Sequence, residues 1–295
     1  MSAELLVRYA VRSPANEQYA ANREAYAWVP YASVLRTDEG YARFKMDSMG
    51  FNNDPLPTPF PAKRLLILGD SFVQSVQVMR QDNFITHLNR KLREQNAFAY
   101  NAGLAGSDPS NAPTVFEELA EFVNAQHVLL CLSENDIQDL QRWKIRKAAD
   151  GRMTGFIRQG DAPNGFGRLR GWVYAHSALI THIKFRYDPP IRAWLQEKSA
   201  WFQGKVVADT VPGEIEDMSG ALSKWHFVLE YFLNRGVTVT VLVMPVVESK
   251  VGGSIKLNYH GVDALAIEAE GMGIPVLDAN AALIADFRAT GVPFK

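Results

Sequence analysis

The spacing of hydrophobic and polar positions changes near residue 63. Residues 1–62 show no sustained period after the short amphipathic stretch "AELLVRYAV", which predicts an irregular lead-in with an edge strand around "YARFKMDSMGF". From Lys63 onward, apolar runs of strand length alternate with segments at helical spacing, a pattern typical of βαβ units and a parallel sheet. The sequence therefore predicts a lead-in over 1–62 and one α/β domain over 63–295.

Apolar runs mark the strands of this domain, and periodic segments between them mark its helices. The predicted strands are "RLLILG", "AFAYNAG", "HVLLCLS", "VTVTVLVMP" and "IPVLD", and the predicted helices cover 82–95, 110–125, 219–235 and 261–272. This alternation predicts a flavodoxin-like, doubly wound parallel sheet of about five strands in an α/β/α sandwich, with strand order 2-1-3-4-5. Residues from about 140 to 218 interrupt it, and we expect a helical insertion there.

Composition narrows the classes of partner. Lys plus Arg number 31 and Asp plus Glu number 32, with no basic tract interleaved with aromatic residues, so nucleic acid is not an expected partner. No apolar run reaches the ~18 residues of a membrane span, and the first residues lack the pattern of a secretory signal, which indicates a soluble chain. Cys131 lies in an apolar run and is interpreted as a core residue. Metal-ligand spacing is absent, and we expect no metal and no cofactor.

Ser71 is the first candidate for chemistry, in the stretch "ILGDSF". It directly follows the first predicted strand, and doubly wound sheets bind ligands at the carboxyl ends of their strands. Ser and Asp are also preferred helix caps. From these residues alone, Ser71 is therefore either a nucleophile or, with Asp70, part of a cap.

Two more loops follow the next two predicted strands. "YNAGLAGSDPSN" carries Gly103 and Gly106, which either form a turn or present a backbone N–H to a bound oxyanion. "LLCLSENDIQDL" places Asn135 and Asp136 at the same rim, where the Asn135 amide is either a second oxyanion donor or a turn residue. With the strand order given above, we expect the three loops to converge on one crevice.

Taken together, "ILGDSF", "NAGLAGSDP" and "LSENDI" resemble the first three conserved blocks of the SGNH (GDSL-type) hydrolases, over about residues 63 to 280. The lead-in "KMDSMGFNND" resembles the segment that precedes the core in many bacterial members. That family comprises esterases, lipases, carbohydrate deacetylases and some acetyl-transfer domains of polysaccharide modification. The resemblance implies that Ser71 is the nucleophile, that the Ser71 and Gly106 backbone N–H groups and the Asn135 side chain form the oxyanion hole, and that Asp70 shapes the nucleophile turn. It also implies a small-molecule or carbohydrate ester as substrate.

Two features depart from the family pattern. Ser133 stands where the third block usually carries Gly, and no histidine has an Asp three positions before it, as the general base of the family does. His260, in "KLNYHGVDAL", is the one histidine kept as a substitute base. The other five histidines fit structural positions better: His87, His127, His176, His182 and His226. Since a serine hydroxyl is a weak nucleophile without a base, the chain without one is expected to be nearly inactive.

The two ends of the sequence suggest why the base is missing. "VLDANAALIADFRATGVPFK" resembles the run that leads up to the Asp-x-x-His block, and "AELLVRYA" resembles the juxtamembrane end of an anchor helix in related bacterial proteins. The hypothesis is an incomplete gene product of an anchored, envelope-facing enzyme.

The predicted function is a serine-dependent ester hydrolase of the esterase, lipase or deacetylase type, acting through an acyl-Ser71 intermediate. Two alternatives stay open. One is an acetyltransferase acting on an envelope polysaccharide, and the other is an inactive carbohydrate- or acyl-binding module.

Overall fold

The computed structural model describes residues 28, 30–36, 42–133, 135–141, 143–147, 153–158, 218–244, 247–251, 254–257 and 261–279. The described strands are β1 (Ser33–Arg36), β2 (Ala42–Lys45), β3 (Lys63–Leu68), β4 (Ala97–Asn101), β5 (His127–Leu132), β6 (Trp143–Lys147), β7 (Met153–Arg158), β8 (Thr238–Val243), β9 (Val247–Val251), β10 (Ser254–Leu257) and β11 (Val276–Asp278). The described helices are α1 (Ser71–Gln74), α2 (Phe84–Leu92), α3 (Ala112–Val123), α4 (Asp136–Gln141), α5 (Met218–Asn234) and α6 (Val262–Gly271).

Five parallel strands form the central sheet, in the order β4-β3-β5-β8-β11. In order along the sheet-forming strands this is 2-1-3-4-5, so the predicted doubly wound topology is confirmed. β3 pairs with both β4 and β5, and the loops that follow these three strands leave the same edge of the sheet. This edge is where the sequence places Ser71, the glycine loop and Asn135.

Helices cover both faces of the sheet, which gives three layers. On one face, α3, α5 and α6 pack on strand residues such as Leu66, Val128 and Val241. On the other face, α2 packs on residues such as Ile67 and Leu129. Because successive strand residues point to opposite faces, strands buried on both sides have near-continuous apolar sequences. This is why "HVLLCL" is buried at every position of β5 except His127.

The five predicted strands and the four helices predicted over 82–95, 110–125, 219–235 and 261–272 are each confirmed to within a few residues. Local capping defines several ends: the Asn83 side chain accepts from the Thr86 N–H at the start of α2, and α3 ends at Asn124, which has a left-handed backbone. The short helix α4 and the antiparallel hairpins β6–β7 and β9–β10 were not predicted. The helices expected within 173–202 lie outside the described residues, and the domain boundary at 62/63 and the insertion remain predictions.

The described part of the lead-in is more regular than expected. β1 and β2 form their own two-stranded antiparallel sheet, so the strand expected around "YARFKMDSMGF" is present but is not an edge of the main sheet. Trp28, Val34 and Met46 pack there against Val76, which lies just beyond α1. The lead-in therefore contacts the chain close to Ser71. None of the described helices has the length and apolar character needed to cross a bilayer.

Candidate functional site

Ser71 is the first residue of the four-residue helix α1, and only Gly69 and Asp70 separate it from the end of β3. Asp70 is the N-cap, and its Oδ1 accepts a hydrogen bond from the Phe72 N–H at 2.9 Å. Ser71 itself is partly exposed, and no described residue hydrogen-bonds to its Oγ. Asp70 therefore caps the helix, as the sequence suggested, and the Ser71 hydroxyl does not.

Gly103 packs the second loop against the first. Its N–H donates to the Asn101 side-chain oxygen at 2.9 Å, so this group is already used within the protein. A Cβ atom at Gly103 would lie 2.3 Å from the Gln74 backbone nitrogen and 2.5 Å from the Val73 carbonyl carbon. Only glycine permits this approach, and Gly103 serves packing rather than anion binding.

Gly106 lies in the same loop with a different environment. Its φ of +73° is in the left-handed region, and a Cβ atom there would meet no atom within 4 Å. Among the described residues, no acceptor bonds its N–H. The backbone N–H of Ser71 likewise has no described acceptor, as expected in the first turn of a helix. Two backbone donors at this edge of the sheet are thus available to an external acceptor.

Hydrogen bonds join the three loops. The Leu104 N–H donates to the Gly69 carbonyl at 3.0 Å, which ties the second loop to the first. Ser133 Oγ lies 2.9 Å from Asp70 Oδ2 and 3.0 Å from Asn135 Oδ1, which ties the third loop to the first. The convergence expected from the sequence is therefore observed for the loops.

Asn135 is held by its own loop. Its side-chain nitrogen donates to Asp139 Oδ2 at 2.6 Å, and its side-chain oxygen faces Ser133. An amide nitrogen carries two hydrogens, so one of them is left after the bond to Asp139. Asn135 is partly exposed, so this remaining N–H can donate to a bound ligand.

Three buried carboxyls lie beneath these loops. Asp70, Asp108 and Asp136 are 7%, 7% and 1% exposed. All three line a small cavity with a volume of about 10 Å³. That volume is near the lower bound for one water molecule. Among the described residues, no group of His, Cys, Asp and Glu has a geometry that would hold a metal ion.

Asp136 points inward, away from the rim on which the sequence placed it. Its Oδ2 accepts from the Ser133 N–H at 2.6 Å, and its Oδ1 has no hydrogen-bond partner. Burial raises its pKa well above 3.8, and the neighbouring Asp108 carboxylate acts in the same direction. Burial also raises the pKa of Asp70, against the opposing hydrogen bond from the Phe72 N–H.

Three asparagines that the sequence analysis did not select brace the Ser71 turn. Asn52 donates from its side chain to the Gln74 carbonyl at 2.9 Å, and Asn101 donates to the Val73 carbonyl at 3.0 Å. Asn53 bonds the Asn101 backbone through both its side-chain oxygen and its nitrogen. Asn52, Asn53 and Asn101 are 1%, 3% and 0% exposed. The sequence does carry a signal for them: "FNND" and "YNAG" have asparagines next to apolar residues, at positions where a buried residue is normally apolar.

The histidines divide into described and undescribed positions. His87 lies on α2 near Arg90, and His127 begins β5 at the edge of the sheet opposite to Ser71. His226 on α5 contacts Glu268 of α6 at 2.6 Å, and this hydrogen bond raises its pKa. None of these three contacts the loops around Ser71. The other three, among them His260, lie outside the described residues.

Comparisons with known proteins find similarity only among solved structures. No family model matches the chain, and no curated protein matches it. The acetyl xylan esterase AlAXEase is similar with 11% identity and a TM-score of 0.43, covering 77% of this chain and 83% of that one. AlinE4, an SGNH-hydrolase family esterase, is similar with 13% identity and a TM-score of 0.36, covering 73% and 75%.

A third similar structure is the psychrotrophic esterase EstA from Pseudoalteromonas sp., with 10% identity and a TM-score of 0.36, covering 73% of this chain and 76% of that one. The structural neighbours thus include SGNH-hydrolase family esterases. The fold assignment itself rests on the strand order and pairing described above.

Proposed function

We propose that this chain is a serine-dependent ester hydrolase that acts through an acyl-Ser71 intermediate. One observation carries the proposal: no described residue bonds the Ser71 hydroxyl or the N–H groups of Ser71 and Gly106, and hydrogen bonds hold the loops of these two residues together. Acyl transfer requires a nucleophile together with backbone donors for the oxyanion, and both are offered by these joined loops. The substrate we propose is a small-molecule or carbohydrate ester.

In the proposed reaction, Ser71 Oγ attacks the ester carbonyl carbon and gives its proton to a general base. The carbonyl oxygen becomes an oxyanion that accepts from the Ser71 and Gly106 N–H groups and from the free amide hydrogen of Asn135. Collapse of this intermediate breaks the bond to the alcohol, which leaves with the proton from the base. Water then attacks the acyl-Ser71 ester by the same route and releases the carboxylic acid. Each donor contributes about 3 kcal/mol in the transition state.

In this proposal the general base is a histidine outside the described residues, since His87, His127 and His226 do not contact the loops around Ser71. We propose His260, which precedes α6 by two residues. His260→Ala is expected to lower the rate of acylation, whereas His226→Ala at the α5–α6 contact leaves it unchanged. Equal rates in wild type and His260→Ala would remove His260 from the mechanism.

The proposal is tested with a fluorophosphonate probe, which reacts covalently with activated serine nucleophiles. We expect labelling of the wild-type chain at Ser71, located by peptide mass spectrometry, and no labelling of Ser71→Ala. Ser223→Ala is the matched control, because Ser223 lies on α5 with its hydroxyl bonded to the Ser219 carbonyl. A folded wild-type chain without labelling contradicts the hydrolase and leaves the carbohydrate- or acyl-binding module. If labelling occurs, transfer of acetyl from p-nitrophenyl acetate to a sugar rather than to water identifies an acetyltransferase.

A further inference from the structure

The contacts Asp70–Ser133–Asn135–Asp139 form a continuous chain of side chains under the candidate oxyanion site. Its three links are Asp70 Oδ2 to Ser133 Oγ at 2.9 Å, Ser133 Oγ to Asn135 Oδ1 at 3.0 Å, and Asn135 Nδ2 to Asp139 Oδ2 at 2.6 Å. All three separations are within hydrogen-bonding range, so each link requires one hydrogen between its two heavy atoms.

The hydrogens of the two neutral side chains are too few for three links. The Ser133 hydroxyl has one hydrogen and can donate to Asp70 or to Asn135, not to both. The Asn135 amide supplies a hydrogen to only one of its two links, because its oxygen occupies the other. Rotating the amide by 180° moves the deficit to the Asp139 link and leaves the count unchanged. With both carboxyls ionised, one link therefore joins two acceptors.

The missing hydrogen must come from a carboxylic acid at one end of the chain of contacts. Asp70 is 7% exposed, whereas Asp139 is partly exposed to solvent. Burial disfavours the ionised form of a carboxyl. The groups that line the cavity with Asp70 include no cation: they are the Asp136 and Asp108 carboxyls and the Cys131 thiol. No Lys, Arg or His among the described residues forms an ion pair with Asp70.

We propose that Asp70 is a neutral carboxylic acid in the folded protein, that it donates to Ser133, and that Ser133 donates to the Asn135 side-chain oxygen. Asp70 and Ser133 are then positioning residues. They hold the oxygen of the Asn135 amide toward the protein and leave its nitrogen end for Asp139 and for an oxyanion. The positioning role rests on the proposed function, whereas the protonation of Asp70 does not.

The protonation is tested without any activity measurement, by urea unfolding of the wild type and Asp70→Asn between pH 4 and pH 8. An asparagine at position 70 keeps an acceptor for the Phe72 N–H and a donor for Ser133, and it does not titrate. If folding raises the pKa of Asp70 above 3.8, the wild type loses stability relative to Asp70→Asn as the pH rises through the folded-state pKa. A constant or increasing relative stability overturns the proposal.

A second measurement covers the case in which Asp70→Asn does not fold. In the wild type with ¹³C-labelled Asp carboxyls, Asp70 is identified by the resonance that shifts in Ser133→Ala, since Ser133 is its side-chain partner. We expect this resonance to keep the chemical shift of a protonated carboxyl at pH 5. The shift of an ionised carboxylate at that pH overturns the proposal.

The positioning role is tested by kinetics with Ser133→Ala. Loss of a whole oxyanion donor lowers kcat by about 10²–10³-fold, so a donor that is kept but no longer oriented should lower kcat by about 10-fold, with a smaller change in KM. Ser110→Ala is the matched control, because Ser110 is a buried serine bonded to Asp108 without a link to Asn135. Asp70→Asn should retain more of kcat than Asp70→Ala.

The labelling, pH-dependence and kinetic measurements separate the proposed function from the proposals about Asp70 and Ser133. If no variant and no wild-type chain reacts with the fluorophosphonate probe, the proposed function fails while the pH dependence still decides the protonation of Asp70. If the wild type reacts but Ser133→Ala and Ser110→Ala have equal kcat, the positioning role is overturned and the hydrolase stands.

Discussion

The side-chain amide of Asn52 donates to the carbonyls of Gln74 and Ser75, at 2.9 and 3.2 Å, across 22 and 23 residues of sequence. Gln74 is the last residue of α1, and Ser75 is its C-cap with a φ of 51°. Carbonyls at a helix end lack intrahelical partners, and a helix of four residues leaves most of its carbonyls in this state. The lead-in therefore supplies the donors that complete the helix on which Ser71 lies.

Asn52→Ala should lower the free energy of unfolding by about 1–3 kcal/mol, because two buried carbonyls lose their donor. Urea unfolding followed by circular dichroism measures the change. The control is Asn234→Ala at the exposed end of α5, which should stay within about 0.5 kcal/mol of the wild type. Equal effects of the two substitutions would show that the lead-in does not brace α1.

Gly103 and Gly106 should respond differently to alanine. Gly103→Ala forces a Cβ atom to 2.3 Å from backbone that cannot rotate away, and we expect a loss of about 3 kcal/mol in the free energy of unfolding. Gly106→Ala meets open space and carries only the strain of a left-handed backbone, about 1–2 kcal/mol. Chemical denaturation of both variants gives the ranking, and a larger loss for Gly106→Ala would contradict the packing described here.

The central sheet was predictable because its pattern is local. A run such as "HVLLCL" records burial on both faces within six residues, and the loop that follows each strand emerges at a fixed edge. The rim positions of Ser71, Gly106 and Asn135 follow from that edge. Side-chain direction was not predictable in the same way, as Asp136 shows: it points into the cavity because its Oδ2 bonds the Ser133 N–H.

The residues of the second loop alone left Gly103 and Gly106 both open as backbone donors, and only the family resemblance selected Gly106. Gly103 uses its N–H within the protein because the Asn101 side chain turns back on its own loop, whereas Gly106 does not. The asparagine network was missed for another reason. Asn53 and Asn101 are 48 residues apart, and the hydrophobic periodicity of a short segment does not predict a contact at that separation. Contacts of this kind depend on the finished sheet.

Cys131 should be unreactive in the folded chain. Burial raises the pKa of its thiol, and the nearby Asp70 and Asp136 carboxyls act in the same direction, so the reactive thiolate is suppressed. A chromogenic disulfide reagent should release no product from the native protein at pH 8 and one equivalent after unfolding in urea, since Cys131 is the single cysteine. Rapid reaction of the native protein would mean that the cavity opens to solvent.

Asp136 should make the protein less stable as the pH rises. A carboxyl whose pKa is raised by folding contributes its stabilisation below the unfolded value of 3.8 and loses it as the pH rises through the folded-state pKa. Asp136→Asn keeps an acceptor for the Ser133 N–H and cannot ionise, so the variant should gain stability relative to the wild type from about pH 4 upward. The gain is at most about 1.4 kcal/mol per pH unit. Urea unfolding at several pH values measures it, with Asp263→Asn at the exposed start of α6 as the control. A stability of Asp136→Asn relative to the wild type that stays constant or falls as the pH rises would contradict a raised pKa of Asp136.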